Sequence, residues 1–318
     1  MENRIPSAII TADMHLRDTV PKCRTDDYWA AQSRAVRSIR DLQEKYKVPI
    51  LDGGDMLDTW KSSPYLEAWA IDNLPDGIIT IPGNHELPYH NVDRLDRSSL
   101  NVLGKAGKIE ILIFPNTIKD TKYKIVIYGF PFDTKSEILS QASKMTQCTL
   151  RGDDYIDEKD YRNIALCHVL VYEKENLWPG LEAIGANALL RKLKGFDLVV
   201  TGHNHLPFTI RYGEQLLVNP GSMMRMAADQ VDHRPRVYLW YAEDNTVEPV
   251  YLPVERGVIS RQHIEQQTRR NKRMEAFVER LDQQYNIDLN YEENIEKYFE
   301  RHPTADGVKQ LVMDALEG

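Results

Sequence analysis

The sequence predicts an α/β fold, and three features predict it. Short apolar runs alternate with amphipathic stretches of helix length over most of the chain. The strongest of those runs end in Asp, Asn or His. Over 318 residues the composition is globular, 42% hydrophobic and 28% charged, which supplies the apolar material for a sizeable core.

In chain order, strands are expected at 7–11, 49–52, 77–81, 109–114, 123–129, 163–167 and 197–201, then at 208–212, 215–219, 236–241 and 246–252. The last two read as a hairpin turned at 243–245. A helix is expected over 26–46, capped by Asp26 or Thr25, with Ala30, Ala31, Ala35, Ile39 and Leu42 as its apolar stripe. Further helices are expected at 63–73, 137–145 and 181–193. Beyond about residue 255 the texture changes to charged, helical sequence at 260–282 and 291–300, with a short helix at 305–316 behind Pro303. The organisation read from this is a core of residues 1–255 and a charged helical C-terminal extension, 256–318, that serves as a cap, a dimer surface or a partner-docking element.

The formal charge of −8 weighs against a basic nucleic-acid surface, although ions bound in an acidic site add positive charge outside that count. The N-terminal MENRIPSAIITAD lacks a secretory apolar run, and no stretch reaches the roughly 18–20 apolar residues of a membrane span. Cys23, Cys148 and Cys167 are odd in number and widely separated, which fits reduced thiols rather than a disulfide framework. A cytoplasmic protein without a membrane partner is expected.

The chemistry is positional. IITADMH places Asp13 and His15 just past the first strand, ILDGGD places Asp55 past the second, and IITIPGNH places Asn84 and His85 past the third. IALCH ends on His168, and LVVTGHNH ends on His203 and His205. Ligands bind at the carboxyl ends of strands in a parallel α/β sheet, so five segments aim polar side chains at one crevice. Imidazole and carboxylate donors without thiolate suit divalent Mn, Fe or Zn.

The ordered set DxH, GGDxxD, GNHE, a lone His after a strand, and GHxH resembles the calcineurin-like metallophosphoesterase superfamily over roughly residues 7 to 222. That resemblance implies two facing mixed β-sheets flanked by helices. It implies two divalent ions, one held by Asp13, His15 and His205, the other by Asn84, His168 and His203, with Asp55 bridging them. His85 stays off the metals and assists the leaving group. NPGS at 219–222 looks like the loop that closes the core in this superfamily.

GGDMLDTWKSSPY and the ending VNPGSMMRM, followed by a hairpin and an extension, look like the SbcD-type DNA-repair nucleases, phage-encoded versions included. This implies a DNA exonuclease or endonuclease using a metal-activated water, Mn²⁺ as the working metal (Fe²⁺, Zn²⁺ or Mg²⁺ being the other candidates), an SMC-like ATPase partner and a homodimer. Glu86 stands where those nucleases more often carry Asp. The alternative is a phosphomonoesterase or a cyclic-nucleotide or small-diester phosphodiesterase; phosphoprotein phosphatases rank lower because Thr59–Trp60 stands where they carry arginine. A non-catalytic scaffold is the remaining reading, and it would show a degraded ligand set, whereas every ligand position is filled.

Other residues receive plainer expectations. Glu86 orients a neighbour or caps a helix, and Asp58 orders its loop. His90 is a solvated loop residue, and His233, His263 and His302 lie at the surface. Tyr28, Trp29, Trp60, Tyr65 and Trp69 belong to core or interface. Arg269, Arg270, Lys272 and Arg273 form a solvated helix face among Glu265, Glu275 and Glu279.

Overall fold

The computed structural model describes residues 4–134, 139, 161–175, 180, 182–284 and 291–317. The chain divides into two compact units, Met1–Ser260 and Arg261–Gly318. The first extends five residues past the composition change at 255. Val258 and Ser260 bond to Thr25 and Cys23 through the backbone, and Ile259 bridges Arg24.

Two six-stranded mixed sheets, flanked by helices, form the first unit. One contains β1 (Ala8–Thr11), β2 (Ile50–Asp52), β3 (Ile78–Thr80), β4 (Ile109–Ile111), β13 (Arg236–Tyr241) and β14 (Thr246–Tyr251), in the order β14-β13-β1-β2-β3-β4. Strands β1 to β4 are parallel neighbours, and β13 joins antiparallel to β1. The other sheet contains β5 (Thr117–Asp120), β6 (Ile125–Phe130), β7 (Arg162–His168), β10 (Leu198–Gly202), β11 (Phe208–Tyr212) and β12 (Gln215–Asn219), in the order β11-β12-β10-β7-β6-β5. Its four inner strands are parallel, with antiparallel β5 and β11 at the edges. A two-stranded pair, β8 (Val171–Tyr172) and β9 (Ile184–Gly185), stands apart.

The period of two along each strand sorts its side chains between layers. Ala8 and Ile10 of β1 join Leu51, Ile127, Ile164, Leu166, Val200 and Trp240 between the sheets. Ile9, pointing the other way, packs with the apolar stripe of α1 (Tyr28–Tyr46), with α2 (Pro64–Asn73) and with α3 (Ser99–Lys105). The outer face of the second sheet is covered by Leu189 and Leu190 of α4 (Ala186–Lys192). Because both faces of the inner strands are covered, they read as continuous apolar runs rather than alternating ones.

Several local expectations need correction. Asp27 caps α1 by accepting from the Ala30 N–H at 2.9 Å, because Asp26 is engaged in a bidentate pair with Arg24 at 2.8 and 2.6 Å. The predicted strand 109–114 ends at Ile111, after which the Leu112 N–H bonds to Thr80 of the first sheet and the Phe114 N–H to Gly129 of the second. The helix expected at 181–193 begins only at Ala186, behind β9. Strand β5 and helix α3 lie where neither was expected. The helix expected at 137–145 and Cys148 lie outside the described residues.

The second unit consists of α5 (Gln262–Gln284), α6 (Tyr291–Arg301) and α7 (Asp306–Glu317). Arg269, Arg270, Lys272 and Arg273 are exposed along α5, as are Met274, Phe277 and Val278 at helical spacing. Among the described residues, no helix is long and apolar enough to cross a membrane.

The Arg24–Asp26 pair is largely buried, with side chains 3% and 9% exposed, and it holds the Asp26 carboxyl below its ordinary pKa. A carboxylate whose folded pKa is depressed stabilises the fold above the unfolded-state value and loses that contribution as pH falls through the folded one. Asp26→Ala is therefore expected to cost about 2 kcal/mol at pH 7. In urea titrations the gap from the parent protein should shrink as pH drops below about 4.

Candidate metal centre

The parallel strands of the two sheets end at a common seam, and the side chains that follow them converge there. Asp13 and His15 leave β1, Asp55 leaves β2, Asn84 and His85 leave β3, His168 closes β7, and His203 and His205 leave β10. Asp13, His15, Asp55 and His203 all have φ between 44° and 74°, in the left-handed region. Asp and His tolerate that region better than most residues, yet each such position carries strain of order 1–3 kcal/mol. The turns aim side chains into the seam at that cost.

Among the described residues, three groups of donor atoms lie within 4.8 Å of one another: Asp13, His15 and His205; Asp55, His168 and His203; and His15, Asp55 and His85. The His15 and His205 Nε2 atoms are 3.0 Å apart. His168 Nε2 stands 3.1 Å from Asn84 Oδ1 and 3.2 Å from Asp55 Oδ2. Two donors bound at about 2.1 Å and a right angle on one ion lie about 3.0 Å apart, so these spacings are those of shared coordination. Asp13 Oδ2 is buried without a hydrogen-bond partner. The donor set fits a binuclear divalent metal centre.

The electrostatics agree. Burial pushes the Asp13 carboxyl up to about 6, with the Asp55 charge adding to the rise. Burial opposes charge on His168, but the Asp55 and Asp13 carboxylates outweigh it and hold that imidazole up at about 10. Asp55, despite its burial, is held below the carboxylate range by His168 and His15. His203 and His205 go the other way, to about 4 and about 3, chiefly through burial and then through His168 and His15 respectively. The seam thus recruits a proton onto His168 to balance its carboxylates, and a divalent ion would displace that proton.

Outer contacts fix the orientation of the donors. His168 Nδ1–H donates to the Gly53 carbonyl at 2.8 Å, turning Nε2 to the seam. His15 Nδ1 faces Asp58 Oδ1 at 3.5 Å, and Arg17 holds Asp58 from the other side at 3.2 Å. Asp13 Oδ1 accepts from the His203 N–H, and Asp55 Oδ1 from the His85 N–H. Loop 219–222 and the following Met223 latch the same region, since the Ser222 N–H donates to the His205 carbonyl and the Met223 N–H to that of Asp13.

Glu86, fully buried, accepts from the N–H groups of Asp55, Leu57 and Gly83. It fastens the loop after β2 to the loop after β3, which is the orienting role expected of it. Burial and the Asp55 charge raise its pKa to about 7. Gly83 has to be glycine, because a Cβ there would run into the Asp55 carboxylate.

His85 is half-exposed at the mouth. Its Nδ1 lies 2.7 Å from the Asp58 carbonyl; a carbonyl can only accept, so Nδ1 carries the hydrogen and Nε2 is the atom left for chemistry. Its ring meets that of His15 edge-on at 4.6 Å.

Some residues take places that sequence reasoning missed. His90 is exposed, as expected, but its Nδ1 lies 3.2 Å from the Asn84 carbonyl and its ring packs 5.6 Å from Phe132. Phe132 carries no motif signal, yet it stands against His203 and His168. His233, expected at the surface, lies 2.7 Å from the Ser222 carbonyl and lines a cavity of about 770 Å³ together with His203, His205 and Arg236. Tyr28 is core, and Trp29 packs on Tyr65 and Trp69, whereas Tyr65 itself is 62% exposed.

The model of the calcineurin-like phosphoesterase family matches residues 7–207, and the chain belongs to that family. It is a metal-dependent phosphoesterase. No curated protein matches it. Among solved structures it is similar to an archaeal phosphodiesterase, with 15% identity, a TM-score of 0.39, and coverage of 77% of this chain and 99% of the other. It is also similar to a putative 5′-nucleotidase from Staphylococcus aureus, with 16% identity, a TM-score of 0.46, and coverage of 80% of this chain and 54% of the other.

Glu86→Ala strands three buried N–H groups, which costs about 1–3 kcal/mol apiece. Thermal unfolding should show a loss of at least about 3 kcal/mol, and divalent-ion affinity by calorimetry should fall about 10–100-fold. An unchanged affinity would mean that the two loops hold their ligands without Glu86.

Proposed function

We propose that this protein is a two-metal phosphodiesterase that hydrolyses nucleic acid, with DNA as its substrate and Mn²⁺ as its working metal. The observation that carries the diester reading is the room beside the ligand cluster. A cavity of about 770 Å³ reaches His203 and His205, another of about 270 Å³ reaches His168 and His203, and His203 and Leu170 line both. A diester needs space for a group on each side of phosphorus, while a monoester needs it on one.

In this proposal Asp13, His15 and His205 would hold one ion and Asn84, His168 and His203 the other, with Asp55 shared between the two sets. A divalent pair supplies Lewis acidity and a nucleophilic water at neutral pH. The chain's own residues then do the rest. Asp55 and Asp13 fix the site's negative charge, and the Asp58 carbonyl holds the His85 ring through Nδ1–H. With Nδ1–H held by that carbonyl, His85 acts as the acid in its doubly protonated form, giving the Nε2 proton to the leaving oxygen and ending as the neutral ring with its hydrogen on Nδ1. His85 also lies within ligand spacing of His15 and Asp55, so its place off the metals is itself open to test.

The α5–α7 extension is proposed as the docking element for an ATPase partner or a second copy, supported by Met274, Phe277 and Val278, exposed at i, i+3 and i+4. The buried, unpaired thiols of Cys23 and Cys167 are compatible with the cytoplasm.

With Mn²⁺, end-labelled single- and double-stranded DNA should be shortened and bis-p-nitrophenyl phosphate hydrolysed. Cleavage of the small diester with DNA intact would discard the nuclease and keep the diesterase. His85→Ala should lower kcat by about 10²–10⁴-fold while metal analysis still finds two ions per chain. Loss of one ion in that variant would make His85 a ligand instead. Asp55→Asn should weaken both ions together, and chelation of the parent protein should lower its melting temperature.

A further inference from the structure

Phe132 is a large apolar ring left half-buried beside the buried His168 and the half-buried His203, and its position is fixed from several sides. Its backbone N–H donates to the Pro82 carbonyl at 3.0 Å, in the loop that carries Asn84 and His85. Its ring centroid lies 5.7 Å from His203, 6.3 Å from His168 and 5.6 Å from His90. It lines the cavity of about 270 Å³ that reaches His168 and His203.

His90 packs beside Phe132 without itself lining that cavity. Tyr89 and His90 both have φ in the left-handed region, at 57° and 56°. Two consecutive bulky residues in that conformation persist only where the surroundings over-determine them, and such strain gathers at ligand-contacting segments. The His90 Nδ1–H donates to the Asn84 carbonyl, which leaves its exposed Nε2 available to a ligand. The cavity is smaller than the usual range for drug-sized ligands, roughly 300–1,000 Å³. It suits one flat ring system better than a duplex.

We infer that Phe132, with His90 beside it, is the wall on which the nucleobase next to the scissile phosphate stacks, so that the site takes nucleoside-bearing phosphodiesters. This rests on the diesterase reading above and deepens it. Stacking on an aromatic face accepts any base, because every base has a π face, so the wall favours nucleosides without selecting a sequence. The larger cavity, on the His205 side, takes the remainder of the substrate.

The test compares two Mn²⁺-dependent substrates that share a leaving group, thymidine 5′-(p-nitrophenyl phosphate) and methyl p-nitrophenyl phosphate. The parent protein should prefer the thymidine ester by about tenfold in kcat/KM, mostly through KM. Phe132→Leu should remove most of that preference, Phe132→Tyr should restore it, and His90→Ala, at an exposed position, should reduce it about threefold. No preference in the parent protein would overturn the inference. So would a Phe132→Leu variant that slows both esters equally, since the ring would then only prop His168 and His203. If DNA stays uncut while the thymidine preference exists and depends on Phe132, the nucleic-acid substrate falls and the stacking wall stands. If neither ester is hydrolysed, both fall.

Discussion

The constraint on which the rest of this structure depends is the burial of two carboxylates, Asp13 and Asp55, at 0% and 1% exposure, where two sheets meet. An isolated buried carboxylate is too costly to survive, and it must be neutralised, paired or bound to metal. Each surrounding feature answers that demand. The histidines bring positive charge or lone pairs. Backbone N–H groups of His203 and His85 satisfy one oxygen of each acid. Glu86, an acid itself, is spent on three amides rather than on the ions. What remains unsatisfied is directed inward, which is why the donors lie at coordination spacing.

The fold sets this up with little freedom. Four strands of each sheet run parallel, β1 to β4 in one and β6, β7, β10 and β12 in the other, and apart from the edge strand β4 they are covered on both faces by the inter-sheet core or by helices. Their carboxyl ends are therefore the places where polar side chains can gather without breaking a packed layer. Residues 219–223, bonded through Ser222 to His205 and through Met223 to Asp13, close the seam from the end of β12. Family membership lives in this seam. The walls of the adjoining cavities, Phe132 and His233 among them, belong to no motif.

How much was legible in the sequence follows from the same division. The inner strands were readable because double burial makes them unbroken apolar runs, and each ligand sits within a few residues of a strand end. Strand β5, TIKD, is an edge strand whose residues are all partly exposed, so it carries no apolar signature. Helix α3 has only seven residues and a glycine inside it, too short for its period to register. Asp27 displaced the expected caps because Arg24 had claimed Asp26, a side-chain choice that spacing cannot reveal. The Phe132–His90 wall joins residues more than 40 positions apart through the Pro82 and Asn84 carbonyls, and only the folded chain brings them together.

The left-handed turns at Asp13, His15, Asp55 and His203 carry a further implication. Glycine would occupy any of them without strain, and at Asp13 it would also remove a buried carboxylate oxygen that has no partner. The strain held at these four positions is a cost to the fold that packing alone does not require. A scaffold role would give no reason to retain four tensed side chains in one seam. Their joint presence is thus a physical argument for chemistry, independent of any family likeness.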